Sequence, residues 1–176
     1  GSRSGNNNQT NNTGFVVKKM NGILADKIAC GFRHSIILER ESGFVYAFGY
    51  GGNGELGQGP MLKDIHIPTV LHTDFTSKWK CKELACGGQH TLAICQPSIF
   101  VTLSNNSNNE NNNNYSSEKN NQNGDNEKNT LFSWGRGLEG QLGIGGNSIS
   151  IPRQVMFPDL HNDDNLVKIA CGEYHS

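Results

Sequence analysis

Cysteine and histidine recur three times in this sequence with one fixed spacing, Cys-x3-His, and both side chains are common zinc ligands. A zinc site needs three or four ligands that converge on one point, whereas each pair supplies two. The pairs also fall in successive copies of an internal repeat, which places them in different structural units. We therefore expect structural roles and no metal for the pairs Cys30/His34, Cys86/His90 and Cys171/His175.

Two glycine-rich segments match the Gly-x-Gly-x-x-Gly spacing of dinucleotide-binding loops, one from Gly49 and the other from Gly135. In a true loop of this kind a helix begins at once, and its N-terminus meets the pyrophosphate. Here further glycines, Gly57 and Gly143 among them, follow immediately and disfavour a helix. The two segments are predicted to be turns, and we expect no cofactor.

Catalytic patterns are not apparent in the sequence. It has no nucleophile elbow and no His-Glu-x-x-His, and its other histidines fall in connecting segments. Glu55 has Gln141 at the same repeat position, which indicates a polar turn residue with no need for an acid. We expect a protein that is not an enzyme.

Both motifs recur in the same order, and such a repeat determines the architecture. Ala-Cys-Gly-x-x-His-Ser/Thr occupies residues 29–35, 85–91 and 170–176, and the glycine-rich motif occupies residues 48–59 and 134–145. Short runs rich in Val, Ile, Phe and Tyr alternate with these turns, and no stretch sustains a helical period. Each unit supplies about four strands, which the first unit places near residues 28–30, 35–38, 45–48 and 68–71. The predicted class is all-β, with propeller blades of four short antiparallel strands.

These motifs together resemble the repeat of the regulator of chromosome condensation family. The resemblance implies a seven-bladed β-propeller, of which residues 15–176 would form a partial set: about two complete units with parts of two others. Because the sequence ends within a repeat, we expect it to be a piece of a longer protein. Open blade edges would leave backbone groups unpaired, so an isolated piece is expected to self-associate.

The repeated residues are interpreted as the structural frame. We expect the cysteines to be small buried hydrophobes and the histidines to hydrogen-bond backbone groups within their blade. Gly31, Gly87 and Gly172 are expected to adopt backbone angles, or to permit close approaches, that a residue with a Cβ could not. Trp134 is predicted to lie in a blade core, whereas Trp79 falls in a connecting segment. The frame comprises Cys30, Gly31, His34, Gly49, Gly57, Cys86, Gly87, His90, Trp134, Gly135, Gly143, Cys171, Gly172 and His175.

The residues that vary inside the fixed motif are the candidates for partner binding. By resemblance they lie on one rim of the propeller, where aromatic residues and arginine could anchor a partner. The alternative for Phe32 and Tyr174 is packing against a neighbouring blade. The predicted binding residues are Phe32, Arg33, Gln89, Glu173 and Tyr174.

Three functions known in the family compete. The first is a non-enzymatic platform that binds other proteins through rim loops, and the second is nucleotide exchange on a Ran-type small GTPase, with association to chromatin. The third, UV-B photoreception, uses a Gly-Trp-Arg-His-Thr motif in a plant relative, but Phe32 replaces that Trp here. We favour the platform and keep the exchange factor as the alternative.

Composition bounds the partners and the location. The net charge of −1 offers no basic patch for nucleic acid, and no apolar run is long enough to span a membrane. Five cysteines, an odd number, without a secretory signal favour a reducing compartment. The expected location is intracellular, either nuclear or cytoplasmic.

Two polar segments are predicted to be disordered. Residues 1–14 read as a polar leader whose Gly1 and Ser2 resemble a cloning scar, and 13 of the 27 residues in segment 104–130 are Asn. This Asn-rich insert extends a hairpin loop of the second unit, where added length has a low entropic cost.

Deletion of residues 104–130 is therefore expected to change the free energy of unfolding by less than about 1 kcal/mol, because the segment has little apolar surface to pack. Urea denaturation of the deleted and intact chains measures the difference. A loss of several kcal/mol would show that the insert docks on the blades.

Overall fold

The computed structural model of the chain describes residues 20, 22–61, 63–71, 73–98, 128–158 and 165–176. These residues form two four-stranded antiparallel sheets, as expected for adjacent propeller blades. The predicted leader, residues 1–14, lies outside the described residues, as do residues 104–127 of the Asn-rich insert.

Each blade is a simple antiparallel meander with strands in chain order. The first blade consists of β1 (Ala25–Cys30), β2 (His34–Glu39), β3 (Val45–Gly49) and β4 (Ile65–Val70). The second consists of β5 (Trp79–Cys86), β6 (His90–Pro97), β7 (Thr130–Gly135) and β8 (Ile149–Gln154). The register is the same in both, since His34 lies opposite Gly49 and His90 lies opposite Gly135.

One helix departs from the expectation that no segment is helical. α1 (Thr73–Lys78) is a single six-residue element that leads directly into β5. A segment of this length holds fewer than two turns, so it cannot display the periodicity by which a helix is recognised in a sequence. It is too short to cross a membrane, and no longer helix occurs in the described part of the chain.

The main hydrophobic core lies between the two blades. One face of the first blade packs against one face of the second, and alternate residues of β2 and β3 point into this layer. Phe75 and Trp79 meet the Phe132 ring edge-on, with centroids 5.1 and 4.8 Å away. The buried members of the core are Ile36, Leu38, Val45, Ala47, Leu56, Leu71, Phe75, Cys81, Leu84, Ala93, Cys95, Phe132 and Trp134.

Trp134 is the largest fully buried side chain and joins the two blades. Its indole Nε1 donates a hydrogen bond of 2.9 Å to the carbonyl oxygen of Glu55 in the first blade. The ring fills the space beside Gly57, where an added Cβ would come within 2.9 Å of Nε1. The expectation that Trp134 belongs to a blade core is thus confirmed.

A hydroxyl relay also joins the blades beside Trp134. The Thr91 hydroxyl donates to the Glu55 carbonyl oxygen (3.2 Å) and lies 3.1 Å from Nε2 of His34. A hydroxyl has one hydrogen, so Thr91 must accept its second bond from a protonated His34 Nε2. His34 is therefore the Nε2–H tautomer, and its Nδ1 is buried without a hydrogen-bond partner.

The next repeat builds the same relay. Nε2 of His90 lies 2.9 Å from the Ser176 hydroxyl, which donates to the Gln141 carbonyl oxygen at 2.8 Å. The histidine rings thus bond side-chain hydroxyls of the following repeat, and the expectation that they bond backbone groups of their own blade is wrong for His34 and His90. His175, the third member, is exposed.

A glycine stands three residues before His34 and before His90, because the imidazole ring of each histidine packs directly against the backbone of that glycine. An added Cβ would come within 2.1 Å of the His34 ring at Gly31 and within 1.9 Å of the His90 ring at Gly87. The close approaches predicted for these glycines are therefore confirmed.

The Asn-rich insert ends earlier than the sequence indicates. Asn129 donates to Oδ1 of Asn165 (3.0 Å) and to the Leu166 carbonyl oxygen (2.6 Å), and β7 begins at Thr130. Asn129 and Thr130 are thus part of the second blade, so the expected change of less than about 1 kcal/mol applies to a deletion that stops at residue 127.

Replacing Thr91 by Val should lower the free energy of unfolding by about 2 kcal/mol, because the change leaves the His34 N–H buried without an acceptor. Chemical denaturation measures the loss. Thr69→Val is the matched control: its hydroxyl bonds the Ile67 carbonyl oxygen on an exposed strand, and we expect a change within about 0.5 kcal/mol. Equal losses in the two variants would refute a special role for the relay.

Candidate functional site

The variable residues of the three motifs lie side by side along one rim of the blades. A backbone ladder connects them: Phe32 N donates to the Gly88 carbonyl oxygen (2.9 Å), and Gly88 N donates to the Glu173 carbonyl oxygen (3.0 Å). The structure therefore brings together the predicted binding residues Phe32, Arg33, Gln89, Glu173 and Tyr174, while their role in binding remains a prediction.

Phe32 both packs against the neighbouring blade and exposes part of its ring to solvent, so it combines the two alternatives that the sequence left open. One part of its ring lies against Gly88 of the next blade, where an added Cβ would come within 2.9 Å of the ring. The side chain is nevertheless 57% exposed, so most of it is available to a partner. For Tyr174 both interpretations stay predictions, because the described residues include no repeat after the one that carries it.

Arg33 is held by an aromatic ring at the rim. Its guanidinium carbon lies 4.5 Å from the centroid of the Tyr50 ring, within the range of a cation–π interaction. The backbone N of Tyr50 also donates to the Arg33 carbonyl oxygen at 2.7 Å. The two residues thus form one fixed unit, although they are separated in the sequence.

Arg136 occupies the position of Tyr50 in the second blade, and its guanidinium has more partners than that of Arg33. Its guanidinium donates to Oε1 of Gln89 at 3.1 Å and to the carboxylate of Glu139. The same group lies 5.7 Å from the centroid of the Tyr174 ring. Arg136 therefore links three other rim residues, which belong to two repeats.

Sequence reasoning missed Tyr50 and Arg136. Both follow the glycine that ends the third strand of their blade, and both donate a backbone hydrogen bond to the residue before the motif histidine (Arg136 N to the Gln89 carbonyl oxygen, 2.8 Å). The available signal was their equivalent position after Gly49 and Gly135, where the residue type varies. The positive φ of these glycines, +108° and +105°, lets the chain turn back to the rim at that point.

The three repeated cysteines do not behave as expected. Cys30 is exposed and Cys86 and Cys171 are only half-buried, because they line a shallow depression of about 280 Å³ beside the ladder. Each thiol contacts the hydroxyl at the end of its own motif, for example Cys30 Sγ with Ser35 Oγ at 3.7 Å. The buried part of its surroundings raises the pKa of Cys86 to about 12, which favours the protonated thiol at neutral pH.

Glu55 and Gln141 form a buried turn at the bottom of each rim loop. The Glu55 carboxylate accepts from the backbone N of Asn53 (2.7 Å), and Gln141 Oε1 accepts in the same way from the N of Glu139 (3.0 Å). Burial raises the pKa of Glu55. The equivalence of acid and amide confirms the interpretation of this position as a polar turn residue.

In the described segments no three His, Cys, Asp or Glu side chains are grouped to hold a metal ion.

The chain forms two equivalent four-stranded blades, which are connected by backbone hydrogen bonds at the rim and by buried side-chain bonds. This arrangement defines the class of protein as a β-propeller of repeated blades. Residues 42–94 and 128–176 match the regulator of chromosome condensation (RCC1) repeat, and the chain belongs to this family. The predicted resemblance is therefore confirmed.

Similar proteins have different roles. The chain is 29% identical over 150 residues to the Ultraviolet-B receptor UVR8 of Arabidopsis thaliana, covering 85% of this chain and 26% of that protein. It is 28% identical to the mouse RCC1-like G exchanging factor-like protein, covering 85% and 25%. In the structure of Kap60 bound to yeast RCC1 (Prp20), the matched chain is 20% identical with a TM-score of 0.60, covering 90% of this chain and 30% of that one. The chain thus spans about a quarter of each of these two curated relatives.

The contribution of His34 to the free energy of unfolding should fall by about 2 kcal/mol between pH 7 and pH 5. Burial, with a smaller contribution from His90, lowers the pKa of His34 from 6.5 to about 4. The unfolded chain therefore binds a proton as the pH drops below 6.5, and the folded chain does so only near pH 4. Burial lowers the pKa of His90 in the same direction.

Denaturant unfolding at several pH values measures this dependence, and His34→Gln serves as the variant without the titrating ring. Its stability should change less between pH 7 and pH 5 than that of the wild type. If both proteins show the same slope, His34 does not cause the acid sensitivity.

Proposed function

We propose that this chain is part of a non-enzymatic interaction propeller that binds a protein partner through the rim carrying Phe32, Arg33 and Tyr174. The observation that carries the proposal is the combination of a rigid backbone ladder with exposed side chains that differ between repeats. A rigid support lowers the entropy lost on binding, and the varied side chains supply specificity.

The composition of the rim supports a binding surface. Aromatic residues and arginine contribute most to interface hot spots, because they combine a large contact area with directed polar groups. Phe32, Tyr174 and Arg33 provide these groups, and Tyr50 holds the arginine in place before any partner arrives. A solved structure contains Kap60 bound to yeast RCC1 (Prp20), which supports a protein as the class of partner.

Nucleotide exchange on a Ran-type GTPase is the second candidate, favoured by the similarity to the mouse RCC1-like G exchanging factor-like protein. Such exchange also proceeds by binding, because the factor stabilises the nucleotide-free GTPase. UV-B reception is disfavoured despite the similarity to UVR8. The sequence has two Trp residues, and both belong to the layer between the blades: Trp134 is fully buried and Trp79 packs beside it.

An intracellular location, nuclear or cytoplasmic, belongs to the same proposal. The proposal rests on the odd number of cysteines in the sequence, three of which recur at one repeat position, a pattern that argues against a framework of disulfides.

Site-specific photo-crosslinking tests the proposal in the intact parent protein. Benzoylphenylalanine at position 32 should give a crosslinked protein product, because the probe lies on the proposed binding surface. Position 44 is the matched control, since Phe44 is also exposed but lies at the opposite end of the blade.

Excess wild-type protein should compete with the product from position 32. Equal products from both positions, or none from position 32, would contradict binding through this rim. Release of fluorescent GDP from a Ran-type GTPase then distinguishes the candidates: acceleration supports the exchange factor, and its absence supports the platform.

A further inference from the structure

We propose that Arg33 receives a carboxylate of the protein partner, in a segment whose neighbouring apolar side chain packs on Phe32. The inference rests on the proposed function and names the chemistry that the rim selects. It follows from a comparison of the two arginines that the repeats place on this rim.

Arg136 is occupied by contacts within the chain. It bonds the Glu139 carboxylate and the Gln89 amide oxygen, and it lies near the Tyr174 ring. Its charge is therefore compensated before a partner binds, and its role is to connect the second blade to the following repeat.

Arg33 has the same kind of aromatic support without the compensation. Its guanidinium carbon lies over the Tyr50 ring, and within the described ranges no carboxylate forms an ion pair with it. The side chain of Arg33 is exposed, so a partner can reach its guanidinium. A supported but unpaired cation is a docking point for an anion.

The cation–π contact determines how that anion binds. The Tyr50 ring covers one side of the guanidinium, and none of the ion pairs among the described residues uses its N–H donors. The edge that carries these donors matches the two oxygens of a carboxylate, which can accept two parallel hydrogen bonds. Because Tyr50 restricts the guanidinium in advance, less side-chain entropy is lost on binding.

A carboxylate fits this rim better than a phosphate. Recognition of phosphate uses clusters of arginines, whereas here the second arginine is already paired with Glu139. Glu173 is a further exposed acid on the rim, and the whole chain has a net charge of −1. A dianion would meet more repulsion from these groups than a monoanion.

The apolar half of the proposed segment follows from the position of Phe32. The ring rests on Gly88, which has no side chain to cover it, and 57% of Phe32 remains exposed. Since Phe32 and Arg33 are adjacent in the chain, an acidic and an apolar residue close together in a partner can contact both.

Binding of defined peptides to the intact protein tests the inference. The probes are ten-residue peptides with one Asp or Glu placed one to four residues from one Leu or Phe, and each has a twin in which Asn or Gln replaces the acid. For the wild type we expect the best acidic peptides to bind at least about tenfold more tightly than their twins, as expected for a charge-assisted bidentate contact.

Arg33→Gln should abolish this preference, and Arg33→Lys should reduce it, because lysine lacks the planar pair of donors. Arg40→Gln is the matched control: Arg40 is also exposed but lies at the opposite rim, with its Nε 3.8 Å from Oδ1 of Asp26. This variant should retain the full preference.

The inference fails if the amide twins bind as tightly as the acids, if Arg33→Gln keeps the preference, or if no acidic peptide binds. Tighter binding of phosphoserine twins would also overturn it in favour of a phosphate site. In each case a specific crosslink from position 32 would leave the proposed function standing, whereas loss of that crosslink would remove the proposed function itself.

Discussion

The structure depends on the joint between blades, where a hydroxyl from one repeat links an imidazole and a carbonyl of the repeat before it. Thr91 joins His34 to Glu55 in this way, and Trp134 donates to the same Glu55 oxygen. These groups are buried, so an unmade bond there would carry the full cost of desolvation. The blades can therefore pack in one register only, with the hydroxyl of one opposite the histidine of the other.

This register also positions the rim. The ladder from Phe32 through Gly88 to Glu173 runs through the same motifs that supply the histidines and hydroxyls. A displacement of one blade relative to the next would break the buried relay and the ladder together. The buried contacts between the blades consequently determine the spacing of the rim side chains, although those side chains are not part of these contacts.

A constant frame beneath varied side chains explains how one repeat can serve different partners. The first blade carries arginine before the motif histidine and tyrosine after the strand-ending glycine, and the second carries Gln89 and Arg136 at these positions. The result is one arginine paired internally and one that is not. Because the frame tolerates both arrangements, the binding chemistry can change without a change in the fold.

The sequence by itself determined the all-β class, the four strands of each blade and the buried position of Trp134, because strand periodicity and turn glycines are local and the repeat displays them twice. It did not determine α1, which is too short for a period. Tertiary structure alone decided the partner of His34, the exposure of Cys30 and the contact of Arg33 with Tyr50. These features arise where distant residues meet, within the rim or between blades, and no local pattern records which groups face each other there.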